Sequence, residues 1–338
     1  MSFTENSIRR YAYDVHGLNL SVMTDSKSVV EVIDSVLAPF SVTPRKSAKT
    51  CKVAIAEGDV SKEIACPAGM RQFWVGTLNN GTTMAYWIGD NIHRLDVLGL
   101  VSTVIDIPSR RAKITVCKGE EWSIMAGGGL LSVLVEFLRA DGHHVVHTAS
   151  LVYDKYGKNK GILIAGESGK GKTTTALALS GTGMKLLADD ITFVTYDLAK
   201  GLFIWGLPRD CKVHYKTLEM LKWLQDLPQR PTMIPDPDEV FINVSEYFGS
   251  CPIKVEPKLI IFLDDRNTKE HRINPINKVE AIKTLTRENV RIFDSNARGA
   301  VGETFRTLGA LVRCCDCYLL SAGPDVAGLH DVVTGLLR

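Results

Sequence analysis

Residues 161–194, GILIAGESGKGKTTTALALSGTGMKLLADDITFV, constrain this chain more than any other stretch. They read as strand, glycine-rich loop, helix, turn and strand. Ile162, Leu163 and Ile164 form an apolar run of the kind a buried strand carries. Gly166, Gly171, Lys172 and Thr173 satisfy G-x-x-x-x-G-K-[ST], the phosphate-binding P-loop or Walker A pattern. Gly166, Gly169 and Gly171 let the backbone turn its N–H groups inward on an anion, and the helix starting near Gly171 adds its positive end. Lys172 is placed to reach terminal phosphates, and the Thr173 hydroxyl to sit on a magnesium ion. Gly181 and Gly183 end the helix. Residues 184–188 then read as a second buried strand, closed by Asp189 and Asp190. If the helix crosses over between parallel strands, both strands end on one edge of the sheet, and the aspartates lie beside the phosphates. One carboxylate there can hold magnesium, and the other can take a proton from an attacking hydroxyl.

These residues resemble a known family. The loop, a helix of about three turns and then Leu187-Ala188-Asp189-Asp190 resemble the catalytic core of HPr kinase/phosphorylase, which shares its fold with PEP carboxykinases. The spacing from Gly166 to the aspartates agrees without a gap. His147-Thr148-Ala149-Ser150 resembles the histidine segment that precedes the loop in that family, with a short insertion at residues 158–160. The resemblance is specific over 147–194, loose over 195–338, and supported by no motif before residue 120. It implies an α/β fold with a P-loop kinase core of the HPr kinase / PEP carboxykinase type. It implies that Gly166, Glu167, Ser168, Gly169, Lys170, Gly171, Lys172, Thr173 and Thr174 bind nucleotide, with ATP and Mg2+ as cofactors. It makes Asp189 the general base, with Lys172 and His147 as catalytic partners, and gives the metal to Thr173 and Asp190. Arg209 and Lys212 fall where the family has a proline-containing loop, and as cations they suit a phosphate or an acidic substrate group. The arginine- and glycine-containing C-terminal signature associated with HPr recognition is not found.

The rest of the chain is read by pattern. With 338 residues, 45% of them apolar, it can bury one large core or two smaller ones. The expected division is a β-rich region over 1–118 and the P-loop domain over 119–338. Strands are expected at 11–22, 52–56, 72–78, 83–88, 92–97, 101–107 and 112–117, with Asn80-Gly81 as a hairpin turn and a helix at 28–37. Residues 121–141 read as an apolar helix packed on the kinase core. Residues 145–153 read as one strand carrying His147. Strands are also expected at 193–196, 202–205, 258–263 and 318–320, and helices at 281–285, 303–312 and 326–337. Asp264 and Asp265, after the apolar run 258–263, are the rival to Asp189 and Asp190. Cys314, Cys315 and Cys317 sit in an apolar run and are expected to pack as small hydrophobes.

A net charge of +2 gives no argument for a nucleic-acid or membrane partner. The first residues lack a secretory apolar region, so the expectation is a cytoplasmic protein with reduced thiols. The function expected is an ATP- and Mg-dependent kinase. It would transfer the γ-phosphate to a hydroxyl of a protein serine, a peptide or a small molecule. The alternative is a nucleotide-binding regulatory module without phosphotransfer. Partners expected are nucleotide, an unidentified hydroxyl-bearing acceptor and, by family habit, further copies of the chain.

Overall fold

In a computed structural model the chain is a mixed α/β protein with several sheets. The structure describes residues 9–44, 50–77, 81–125, 128–155, 157–197, 201–231, 238–248, 253–264, 268–289 and 298–337. It forms two compact units, one over Met1–Gly142 and another beginning at His143. The division therefore falls after residue 142, not near residue 118.

The first unit is built on an eight-stranded sheet. Its strands are β1 (Arg9–Val15), β2 (Leu18–Thr24), β3 (Cys51–Glu57), β4 (Arg71–Thr77), β5 (Thr83–Ile88), β6 (Ile92–Val97), β7 (Val101–Asp106) and β8 (Arg111–Val116), in the order β1-β2-β3-β8-β7-β6-β5-β4. The single strand expected over 11–22 is instead the β1–β2 hairpin. His16 and Gly17 stand consecutively at φ 53° and 102°, and two such residues reverse a chain. The β4–β5 hairpin forms as expected, although Asn80 of its turn lies outside the described residues. Helix α1 (Lys27–Leu37) starts where the Ser26 side chain accepts the Val29 N–H, and it buries Val29, Val32, Ile33, Val36 and Leu37. Helix α2 (Leu130–Ala140) packs on β7 and the turn Glu121–Met125, where the sequence led us to expect it on the loop-bearing core. Leu130, Leu131, Val133, Leu134, Phe137 and Leu138 of α2 are buried, as in a core helix. Its one charge near the middle, Glu136, accepts from Tyr86 and Arg139.

The second unit begins with β9 (His143–Val146), β10 (Ala149–Lys155), β11 (Lys158–Ala165), α3 (Lys172–Ser180) and β12 (Lys185–Ala188). Next come β13 (Thr192–Asp197), β14 (Gly201–Trp205), β15 (Cys211–His214), α4 (Tyr215–Met220), β16 (Gln229–Pro231) and β17 (Glu239–Ile242). It closes with β18 (Pro257–Leu263), β19 (Arg272–Pro275), α5 (Lys278–Asn289), α6 (Arg298–Cys314), β20 (Asp316–Ser321) and α7 (Gly328–Gly335). The central sheet runs β12-β10-β11-β18-β20-β19. β11, β18 and β20 are parallel, and β10 is antiparallel to both β11 and β12. β11 and β12 therefore point the same way and end on one rim, with the start of β10 between them.

Alternation along β11 and β18 explains the layers. Ile162, Ile164, Leu259 and Ile261 face Leu177 and Leu179 of α3 and Leu329 and Val333 of α7. Leu163, Ala165, Ile260 and Phe262 face Ala281 and Leu285 of α5 and Leu308 and Leu311 of α6. Parallel strands covered on both faces need such continuous apolar runs, and each buried Leu or Ile contributes about 1.5–3 kcal/mol. Cys315 and Cys317 are buried among them as small hydrophobes, while Cys314 is exposed.

Two expectations near the site need correction. The strand expected over 145–153 breaks at His147 and Thr148. β9 joins the small sheet β14-β13-β9, and β10 joins the central sheet. Lys212, expected on a loop, lies in β15, paired in the small sheet β15-β17-β16.

Gly206, just past β14, lies against the end of β12. A Cβ there would stand 2.1 Å from the Leu187 carbonyl oxygen and 2.5 Å from the Ala188 Cβ. Backbone on one side cannot yield as a flexible side chain can. Gly206→Ala is expected to lose about 1–3 kcal/mol or more, read as a lower urea midpoint at unchanged slope. An unchanged midpoint would refute this close approach.

Candidate active site

The site forms on the rim where β11 and β12 end. Gly166 follows β11, and the chain turns through Gly169 (φ 80°) and Gly171 (φ 92°) before α3 begins at Lys172. Gly171 is the N-cap in the left-handed region, a conformation costly for residues with a Cβ. Lys172 is buried, and its Nζ donates to the carbonyls of Gly166 (2.9 Å) and Glu167 (3.4 Å). The lysine thus lies folded over its own loop. Thr173, next on α3, donates its hydroxyl to Asp189 Oδ1 at 2.8 Å.

The two aspartates face different partners. A three-residue turn closes where the Ile191 N–H donates to the Asp189 carbonyl, with Asp190 at φ 67°. Turns of this hand at a non-glycine residue are strained by about 1–3 kcal/mol, and such strain gathers at functional sites. Asp189 goes to Thr173. Asp190 goes to His147 Nε2, 2.6 Å from its Oδ1. Burial, then the charge of Asp190, push the Asp189 carboxyl up to about 6, against the Thr173 hydrogen bond and the Arg209 charge. Desolvation also acts on Asp190, but the His147 hydrogen bond and charge, with Arg209 and Lys172, outweigh it and hold this carboxyl below its usual range. Neighbouring carboxyls pushed apart in this way can take different roles.

His147 reaches the rim because β10 starts there. Its backbone N–H donates to Asn289 Oδ1 at 2.5 Å, from the last residue of α5. Asn289 in turn donates to the Leu285 carbonyl. No local pattern could have found Asn289, which lies 142 residues from its partner. The same end of α5 brings Arg287 within 2.8 Å of Glu167 in the loop.

The Gly206 approach also carries the following residues toward Asp189. Arg209 contributes positive charge at both aspartates, and its Nη1 is buried with no hydrogen-bond partner. An orphaned guanidinium nitrogen suits an oxyanion. Cys211 is buried beside Asp189, and burial, with the Asp189 charge, pushes its thiol well above the usual value. Lys212 points elsewhere and pairs with Glu239 at 2.7 Å, so the structure does not bring it to the rim. Thr174 turns toward α4, its hydroxyl 3.0 Å from that of Thr217. Ser168 and Glu167 are exposed on the loop, and Lys170 is half-buried. The rival Asp264 ends β18 on the same rim, where it accepts from the Ser321 hydroxyl at 3.1 Å, while Asp265 lies outside the described residues.

These residues fit a nucleotide phosphate and a divalent ion. Thr173 and Asp189 offer hard oxygen donors of the kind magnesium takes with one or two carboxylates and substrate phosphate. Lys172 is within reach of whatever the loop holds, and Arg209 has an unused donor.

No family model matches the chain, and no curated protein matches it. Among solved structures, the Hpr(Ser) kinase/phosphatase from Coxiella burnetii is similar at 17% identity and a TM-score of 0.27, over 58% of this chain and 94% of that one. A likeness of that size carries no argument about function.

Proposed function

We propose that the protein is an ATP- and magnesium-dependent kinase that phosphorylates a hydroxyl. The observation that carries this reading is the bond from Thr173 to Asp189. It joins the start of α3, at the phosphate loop, to an acidic pair at the end of β12, which runs parallel to β11 on the far side of β10, beside a buried lysine. When bound, magnesium would supply charge neutralisation at the transferring phosphoryl group, which ATP provides. Lys172 and the loop N–H groups hold phosphate oxygens. Asp189, with its carboxyl near 6, is poised to take the acceptor proton near neutral pH. Asp190 and His147 orient one another beside it. Arg209 anchors an anionic group on the acceptor or on the phosphate.

A second assignment of roles is favoured by the pairings themselves. Thr173 shares its bond with Asp189, not Asp190. On that assignment Thr173 and Asp189 hold the metal, and His147, oriented by Asp190, accepts the proton. Manganese binding in the presence of nucleotide separates the two. If the metal belongs to Asp189, Asp189→Asn and Thr173→Ala weaken it about tenfold or more, and Asp190→Asn changes it little. The opposite ranking returns the metal to Asp190 and the base role to Asp189.

Phosphotransfer is tested with γ-labelled ATP and a cell extract supplying acceptors. Label on an extract component, dependent on Lys172 and Asp189, is the expected result. Tight ATP binding with no label transferred would leave the regulatory module as the reading.

A further inference from the structure

The last turn of α5 touches two parts of the site at once. Arg287 sets its guanidinium 2.8 Å from Glu167, the residue after the first glycine of the loop. Two residues later, Asn289 holds the His147 backbone, and the His147 ring holds Asp190. Glu167 is an awkward residue in an anion cradle, because its charge opposes a polyphosphate. Arg287 offsets that charge. It has five donors and is exposed, and its nearby acids among the described residues are Glu167 and, at 3.6 Å, Glu288. A guanidinium held there by carboxylates is free to fork onto phosphate oxygens, which it binds bidentately. Helix α5 is itself anchored to the sheet through Ala281 and Leu285, so its end is a fixed point and not a swinging tail.

We infer that Arg287 reads the outermost phosphate of a bound nucleoside triphosphate, and that Asn289 relays this interaction to His147. Arg287 is thereby the residue that separates triphosphate from diphosphate, and Asn289 is a positioning residue acting through His147. The inference rests on the nucleotide reading above and deepens it. Glu167 serves as the parking site for Arg287: a carboxylate strong enough to place the guanidinium and weak enough, being exposed, to release it to a more highly charged partner. The relay is short, running from Arg287 through the last two residues of α5 to Asn289, then to the His147 backbone and its ring.

The test is titration of the full chain with Mg-ATP and with Mg-ADP, by calorimetry. Arg287→Ala is expected to weaken Mg-ATP about tenfold and Mg-ADP less than about twofold, the size of one charge-assisted hydrogen bond. Arg287→Lys should recover only part of the affinity, because a point charge does not replace the fork. Asn289→Ala is expected to leave both affinities nearly unchanged and to lower kcat with KM for ATP held. Arg287 is exposed, so its removal should not unfold the chain, and equal thermal midpoints check that. An ATP-to-ADP preference unchanged in Arg287→Ala overturns the role of Arg287 and leaves the kinase reading standing. A kcat unchanged in Asn289→Ala overturns the relay. Wild-type protein that binds neither nucleotide overturns the proposed function itself and this inference with it.

Discussion

Asp189→Asn is expected to abolish turnover and, at the same time, to make the protein more stable at neutral pH. The first effect is about 10²–10⁴-fold, the usual cost of losing a positioned proton acceptor, and it is similar if the residue holds the metal instead. The second follows from burial. The Asp189 carboxyl stands at about 6 in the fold against 3.8 for the ordinary group. The folded chain therefore keeps this proton longer than the unfolded chain does. Its contribution is most favourable below about pH 4, falls as pH rises toward about 6, and is constant above that. Two units would be about 3 kcal/mol, but the side chain is partly open to solvent and accepts from Thr173, so about 1–2 kcal/mol is the expected size. Asparagine keeps an acceptor for Thr173 and carries no charge. Thermal unfolding between pH 4 and 7.5 should show the wild type losing this increment and the variant not. A variant that is less stable at pH 7.5 and still transfers phosphate would mean the carboxylate is structural, and the role given to Asp189 would fall.

Lys172→Ala should be as damaging to activity and opposite in its effect on stability. The ammonium lies against the phosphate loop, and removing one such preorganised donor costs about 10²–10³-fold. It is also buried and spans the loop through two carbonyls. Truncation leaves both acceptors without that partner, so a loss of about 1–3 kcal/mol is expected by denaturant unfolding. Lys172→Met is the control, since it retains the aliphatic stem and loses only the charge. If Lys172→Met binds Mg-ATP as wild type does, the loop is not a phosphate site.

The sequence made the chemistry legible where chemistry and chain are contiguous. Gly169, Gly171, Lys172 and Thr173 lie close in sequence, and their spacing alone dictates a turn into a helix. That β11 and β12 point the same way was expected only on the condition that the helix crosses over, and it is β10, antiparallel to both, that fixes it. What was not legible depended on partners remote in sequence. His16 reads as an ordinary strand residue until Gly17 turns with it. His147 lies inside an unbroken β pattern, yet β9 and β10 belong to different sheets, and only tertiary pairing decides that. Lys212 reads as a loop cation, but strand alternation turns it to Glu239 and leaves Cys211, not Lys212, against Asp189. The family resemblance gives the metal to Thr173 and Asp190, whereas in the fold Thr173 bonds Asp189 and Asp190 bonds His147.

Antiparallel β10, set between β11 and β12, has a kinetic consequence. Because of it, His147, the phosphate loop and both aspartates all come from one unbroken run of chain, 147–190. Closing loops that short costs little entropy, so this part of the rim can assemble before the rest of the unit. Arg209, and still more Arg287 and Asn289, arrive from farther along the sequence. A partly refolded chain would hold its two carboxylates together before these later groups are in place, and a polyanionic ligand would bind well only after α5 docks. Nucleotide should therefore act late in refolding: it should slow unfolding strongly and speed folding little.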